Sequence, residues 1–476
     1  MGSPPANGRP RRFSPSARRN ALVAFVVIVA LTGGASRADV LSLVVLRPLA
    51  AIFAGYAILA APSGHLRCIA VPLAIVGLCA AVIGLHLVPL PPAMWHSLPM
   101  REVVVAIDAA LGQPSAWRPL ALSPAGAWNA LFSLTVPATA ILLYGALDNR
   151  DRPTVLLLWI GAAIASAALG LAQMLGDAEG VLYLYAVTTS GLPVGLLANA
   201  NHQAMLLASA IPVTAVLAVR RESSAAMWFG AIAIFGFLFV ALLGGSRAGT
   251  ALSVLAGAVA ALIYSGRGVD SQSRSQVTTG SRRNRWSALS GSRRSIVLVV
   301  AALAMAGVFA AVSSVSDGGV GFSSIARDAD RQELRLSALP VLLKMLGDVW
   351  TVGLGAGSFV PAYQIVEPLA DLGPYYLNHA HNDWLELMLE YGIAGAAFLL
   401  ILLVAVWRAA KRVVSDGSNR IAMRAGLLFP ILVFALGSII DYPLRVPLVQ
   451  VLAILWLLGL GDGALLTPRK ARSRRS

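Results

Sequence analysis

About twelve apolar runs, each long enough to cross a bilayer, follow one another along this chain, and nothing constrains its fold more. A helix of about 20 residues spans the hydrocarbon core, and it satisfies its own backbone polar groups, which lipid demands. The runs lie near 20–36, 41–62, 67–88, 127–147, 154–175, 202–219, 226–244, 248–265, 295–315, 384–407, 423–440 and 446–461. The sequence therefore predicts an all-α polytopic membrane protein of about twelve transmembrane helices, with a large, partly helical outer loop. Composition agrees: 12% of the residues are charged, about half the share found in soluble domains. Cys68 and Cys79 lie in one apolar run and read as small packing residues, with no disulfide framework implied.

The formal net charge is +15. In a soluble chain that would suggest nucleic acid, but here the basic residues cluster beside apolar spans, which marks the cytoplasmic side. With the N-terminus inside, the inner connections become 63–66, 148–153, 220–225, 266–294 and 408–422, and they collect nearly every basic cluster. Residues 1–19 then form a basic cytoplasmic tail, 20–265 helices one to eight, 266–294 a disordered basic cytoplasmic loop, and 295–315 helix nine. Residues 316–383 form the large outer loop, too long and too apolar for a mere tether and so expected to be functional, 384–461 helices ten to twelve, and 462–476 a basic cytoplasmic tail. A second outer loop runs from about Val88 to Trp128, and Pro89, Pro91 and Pro92 stiffen its start.

The densest polar stretch, Asn378-His379-Ala380-His381-Asn382-Asp383-Trp384-Leu385-Glu386, ends the large outer loop. Asp383 and Glu386 have the form of a helix start, with Asp383 as N-cap and Glu386 at the third helical position. His381 then sits at the water–membrane boundary, where a neutral imidazole can take a proton. Ser246-Arg247 lies between two apolar runs at the outer surface, where an arginine gains nothing from topology; its plain alternative is a side chain snorkelling to headgroups. Asn199-Ala200-Asn201-His202 opens a helix on the same side, with ordinary Asn capping as its alternative. Glu333-Leu334-Arg335-Leu336 could equally be a solvated helix face, and Asp441-Tyr442-Pro443-Leu444-Arg445 a turn closed by an ion pair. No P-loop, metal-ligand spacing or Gly-x-Ser-x-Gly elbow is present, so metal and cofactor chemistry are not expected.

Together these elements resemble the O-antigen ligase and Wzy-type polysaccharide polymerase superfamily. The resemblance rests on Leu334-Arg335-Leu336 through Lys344-Met345, Gly353-Leu354-Gly355-Ala356-Gly357-Ser358-Phe359, His379 through Leu387, and Glu390-Tyr391-Gly392-Ile393-Ala394-Gly395. Asn199-Ala200-Asn201-His202 is similar to the family's Asn-Pro-Asn-His element, with Ala200 in place of proline. Ser246-Arg247 and Asp441-Tyr442-Pro443 resemble two further family elements.

The resemblance implies metal-independent glycosyl transfer at the periplasmic face of a bacterial inner membrane. The donor would be a glycan on undecaprenyl pyrophosphate, and the acceptor a sugar hydroxyl on lipid A-core or on a second lipid-linked glycan. It implies His381 as base, with Arg247 and Arg335 on the pyrophosphate. His379 competes with His381, and Arg331, one helical turn away, competes with Arg335. Substrate contacts are further expected from Arg331, His379, Asn382, Asn199, Asn201, His202, Asp441 and Arg445. A transporter or flippase for lipid-linked glycans is the main rival from another class, and a non-catalytic envelope scaffold a third.

Overall fold

The computed structural model describes residues 13–62, 64–177, 180–276, 337–372, 376–416 and 421–466. Among them ten helices are long and apolar enough to cross a membrane: Pro15–Thr32, Leu43–Ala60, Arg67–His86, Pro124–Ala146, Thr154–Leu175, Ala200–Arg220, Ser224–Leu243, Arg247–Ser265, Ile393–Ser415 and Ile421–Ile440. Pro447–Gly461 is a shorter apolar helix. Every predicted run has a helical counterpart except 295–315, which lies outside the described residues.

Ala200–Arg220 is the hub of the bundle. Of its span, 89% is buried, against 11% for the lipid-facing Ile393–Ser415. Glycines on the neighbouring helices let them come close. An added Cβ at Gly249 would meet Ala204, one at Gly426 would meet Val216, and one at Gly437 would meet the Met205 sulfur. Small residues at such crossings are how helices pack without a hydrophobic driving force between them. Behind the hub, the Trp159 and Trp456 rings pack at a 57° tilt with centroids 5.0 Å apart, and Trp159 Nε1 donates to Ser209 Oγ at 3.2 Å.

Basic residues gather at one end of this bundle. Arg18 donates to Ala146 O and Asp148, at 3.0 and 3.1 Å. Arg152 pairs with Asp462 at 2.7 Å, Arg220 donates to Leu465 O and Arg412 to Gly461 O. Segments far apart in sequence thus meet there, as the charge pattern requires.

Three boundaries differ from expectation. The first helix begins at Pro15, inside the stretch read as a tail, because Ser14 caps it by accepting from Ala17 N and Pro15 suits the first helical position. The run read as one helix over 384–407 is two, Asp383–Tyr391 and Ile393–Ser415, divided at Gly392 with φ 54°. The helix opened by Arg247 continues to Gln276, into the segment expected to be disordered from 266. No proline intervenes there, and Ser, Arg and Gln all tolerate a helix. The rest of that segment lies outside the described residues.

At the end opposite the basic residues, residues 89–128 and the described part of the second long loop, from 337, form one layer. Pro89–Leu90 pairs antiparallel with Arg118–Pro119. Buried Trp95 donates to Pro119 O, and Arg118 forms a doubly bonded ion pair with Asp108. This unit clamps the glycine-rich turn 353–358. Leu122 N donates to Leu354 O, Ala356 N to His86 Nδ1 and Ser123 N to Ser358 Oγ. Gly355 has φ 90°, and a Cβ there would collide with the Ala121 backbone. Gly355→Ala is therefore expected to cost about 1–3 kcal/mol from strain and overlap, read as a lower melting temperature of the detergent-purified protein.

Candidate active site

The helix Asp383–Tyr391 starts one residue earlier than the sequence suggests. Asn382, not Asp383, is its N-cap, and its Oδ1 accepts from Leu385 N at 3.0 Å. Asp383 becomes the first helical residue and Glu386 the fourth, so no capping box forms. Both side chains turn inward instead. With Glu390 they share one helix face by their three- and four-residue spacing, and all three are buried.

What draws them inward is Arg445, from the turn that follows Ile421–Ile440. It lies 3.2 Å from Glu386, 3.5 Å from Asp383 and 3.8 Å from Glu390. Asp383 also accepts from Ser438 Oγ at 2.8 Å and Leu444 N at 3.2 Å, and Glu390 from Phe359 N at 3.3 Å. Burial raises the Asp383 carboxyl to about 6, against the pull of Arg445 and Ser438. Burial also works on Glu386, but Arg445 and His379 outweigh it and hold that carboxyl near about 2. Burial opposes the charge on Arg445, and the three carboxylates more than restore it. Arg445 is thus engaged within the protein, where a substrate contact had been expected.

Two imidazole–carboxylate pairs stand beside this cluster. His379 Nδ1 is 2.9 Å from Glu386 Oε1, and the other Glu386 oxygen accepts from Ala380 N at 2.7 Å. His381 Nδ1 is 3.1 Å from Asp441 Oδ1. Asp441 also accepts from Asn201 Nδ2 at 3.0 Å and from Tyr442 N at 3.1 Å. His202 Nε2 lies 3.6 Å away, a charge-range contact too long for a hydrogen bond. Burial would raise the Asp441 carboxyl, yet His202 and His381 hold it well below the usual carboxylate range. An ionised carboxylate only accepts, so Nδ1 of His381 carries a proton in this pair. The Tyr442 ring packs against all three imidazoles, with centroids 4.3 Å from His379, 4.9 Å from His381 and 5.1 Å from His202.

His381 itself has φ 49°, a left-handed conformation uncommon for a residue other than glycine. Such strain persists only where surrounding contacts enforce it, and it concentrates at functional sites.

Of the residues singled out from sequence, Asn201, His202, His381 and Asp441 meet directly, with His379 and Arg445 in the adjoining cluster. Asn199 caps the hub helix by accepting from Asn201 N at 2.8 Å, and Asn382 caps its own helix. Arg247 is exposed at the start of its helix, where Ser246 Oγ accepts from Gly249 N at 3.0 Å. The turn before it packs near Ala200, so Arg247 shares the membrane end of Asn201 and His202. Arg331 and Arg335 lie outside the described residues. Sequence reasoning missed the roles of Glu386, Glu390 and Tyr442. Two glutamates four apart, in a segment otherwise led by Leu385, Leu387, Met388 and Leu389, were the available signal.

An imidazole oriented by a buried carboxylate is a group that can take a proton from a hydroxyl. The O-antigen ligase family model matches residues 232–400, which include Arg247, His379, His381 and the Asp383–Tyr391 helix. Over that stretch the resemblance read from the motifs is borne out. The match supports glycosyl transfer of the ligase or polymerase kind by a multi-pass membrane protein. No curated protein matches the chain.

Proposed function

We propose that this chain, which carries an O-antigen ligase domain over residues 232–400, moves a glycan from undecaprenyl pyrophosphate to a sugar hydroxyl. The reaction takes place at the periplasmic face of the inner membrane. The single observation that carries the reading is the His381–Asp441 pair at the end of the bundle opposite the basic residues.

The acceptor hydroxyl loses its proton to His381 Nε2 as its oxygen attacks the anomeric carbon. The bond from that carbon to the pyrophosphate oxygen breaks, and both electrons leave with the lipid pyrophosphate. Direct attack inverts the anomeric centre. Charge grows on the leaving group as the bond breaks, so fixed cations stabilise the transition state more than the ground state. Arg247 and Arg335 supply them, because guanidinium stays charged and binds phosphate in bidentate fashion. Asp441 orients the base and stabilises the imidazolium. Asn201 and His202 hold Asp441, and Tyr442 spaces the rings. His379, tied to Glu386, serves a substrate contact and is the alternative base, and Arg331 is the alternative to Arg335.

Asp441→Asn preserves shape but replaces an acceptor-only, charged carboxylate with a neutral amide that can turn a donor toward His381 Nδ1, so the His381 tautomer is no longer dictated. Transfer is expected to fall at least about 100-fold, as for the orienting carboxylate of other acid–imidazole pairs, with donor binding little changed. Initial rates and lipid retention, measured on the same preparation, check both halves.

In cells, a deletion strain tests the reading and separates its two forms. Loss of a polymerase leaves single repeats on lipid, whereas loss of a ligase leaves long lipid-linked chains. Unchanged surface glycan and unchanged lipid-linked intermediates would contradict both.

A further inference from the structure

Arg47 stands in the membrane span Leu43–Ala60, about one helical turn from its start. Its Nη2 donates to Asn129 Oδ1 at 2.6 Å, and its Nε is buried with no hydrogen-bond acceptor among the described residues. A neutral amide leaves the guanidinium charge unmatched. A charge in a span is costly unless it serves a ligand or a partner.

This arginine lines an open cavity of about 400 Å³. Leu41, Val44 and Pro48 form its apolar side, and all three are exposed on the outer surface of the bundle. Asp39 also lines it, but Arg37 engages that carboxylate through two hydrogen bonds of 2.9 and 2.6 Å. The groove therefore keeps the net positive charge of Arg47.

A chain of contacts leads from the groove toward the candidate active site. Arg37 lies over the Tyr376 ring at 5.8 Å, and Tyr376 leads directly into Leu377 and the two imidazole pairs. Gly34 O, from the segment just before Arg37, accepts from Ala198 N beside the Asn199 cap, and Gly33 O accepts from Leu448 N beyond Arg445.

We propose that this groove docks the phosphate-bearing head of a polyprenyl lipid. Arg47 is its cationic anchor, and Leu41, Val44 and Pro48 begin the path of the isoprenoid chain. The inference rests on the glycosyl-transfer reading above and adds a residue and an entry side for the donor. A pyrophosphate concentrates more negative charge than a phosphodiester headgroup, and a guanidinium can engage two of its oxygens at once. That favours a polyprenyl pyrophosphate over the surrounding phospholipid.

The test uses the full chain in nanodiscs of neutral phosphatidylethanolamine, titrated with undecaprenyl pyrophosphate and read by mass spectrometry of the retained lipid. Arg47→Ala is expected to weaken retention about tenfold or more, with Arg47→Lys intermediate. Val44→Trp fills the groove from an exposed position while keeping Arg47 in the chain, and the same loss is expected. That second variant covers the case in which Arg47→Ala fails to fold. Retention equal to wild type in the folded variants would overturn the proposal. So would equal competition by phosphatidylglycerol, which would make the groove an ordinary phospholipid contact. His381→Ala separates the two claims. If it transfers glycan at the wild-type rate while Arg47→Ala still loses the lipid, the functional reading falls and the groove stands.

Discussion

Replacing His381 with alanine is expected to cut glycan transfer by about 10²–10⁴-fold, the range a positioned general base contributes. The loss should fall on turnover and not on donor retention, because the imidazole acts on the acceptor hydroxyl. His381 occupies a left-handed backbone position that alanine adopts poorly. His381→Asn is the companion variant, since asparagine tolerates that conformation but cannot take up the proton. Both should be equally inactive, and a folded Asn variant removes misfolding as the cause. His379→Ala is expected to be milder, because Glu386 would still be held by Arg445 and by Ala380 N. The reverse order of effects would move the base to His379.

The largest effect on stability is expected at Arg445. Arg445→Ala leaves Asp383, Glu386 and Glu390 buried together without their shared cation. Breaking a buried ion pair on one side costs about 3–5 kcal/mol, because the remaining charge is left uncompensated. The outer segment that carries both histidines should then loosen, which limited proteolysis and thermal melting of the purified protein would register.

The sign of the pH dependence follows from the carboxyls. A buried carboxyl that has lost its cation is more easily protonated, and its neutral form is the better tolerated one. The defect should therefore shrink as pH falls through about 6, where Asp383 already takes up its proton in the native protein. Adding Glu390→Gln to Arg445→Ala should recover part of the loss, since it removes one of the stranded charges. A variant as stable as wild type at neutral pH would show that the cluster carries no such strain.

The membrane helices were readable because lipid imposes one length and one composition on them. The break at Gly392 was not. Leu387, Met388, Leu389 and Ile393 carry the apolar character across it, and Gly392 turns only because Thr351 and Gly353 pack against its backbone. The choice of cap between Asn382 and Asp383 was likewise open to local reasoning. Asp383 moved inward because Ser438, Leu444 and Arg445 wait for it, all more than fifty positions away.

The same distance separates the chemistry into legible and illegible parts. His381 could be singled out from its polar neighbours, and Asp441 from its turn, but nothing in the sequence couples the two. Arg445 was expected at the substrate, with a turn closed by an ion pair as its alternative. Its actual partners are three acids on a helix beyond the reach of any local pattern. The spacing of those acids, 383, 386 and 390, did announce one charged helix face that something had to neutralise.

The central claim is that His381 drives glycan transfer from a lipid pyrophosphate, and one measurement addresses it directly. Wild type and His381→Asn, reconstituted side by side, are given a polyprenyl-pyrophosphate-linked glycan with and without an acceptor sugar, and the released polyprenyl pyrophosphate is quantified. The account predicts acceptor-dependent release by wild type and its loss in the folded variant. Equal release by both proteins would contradict it.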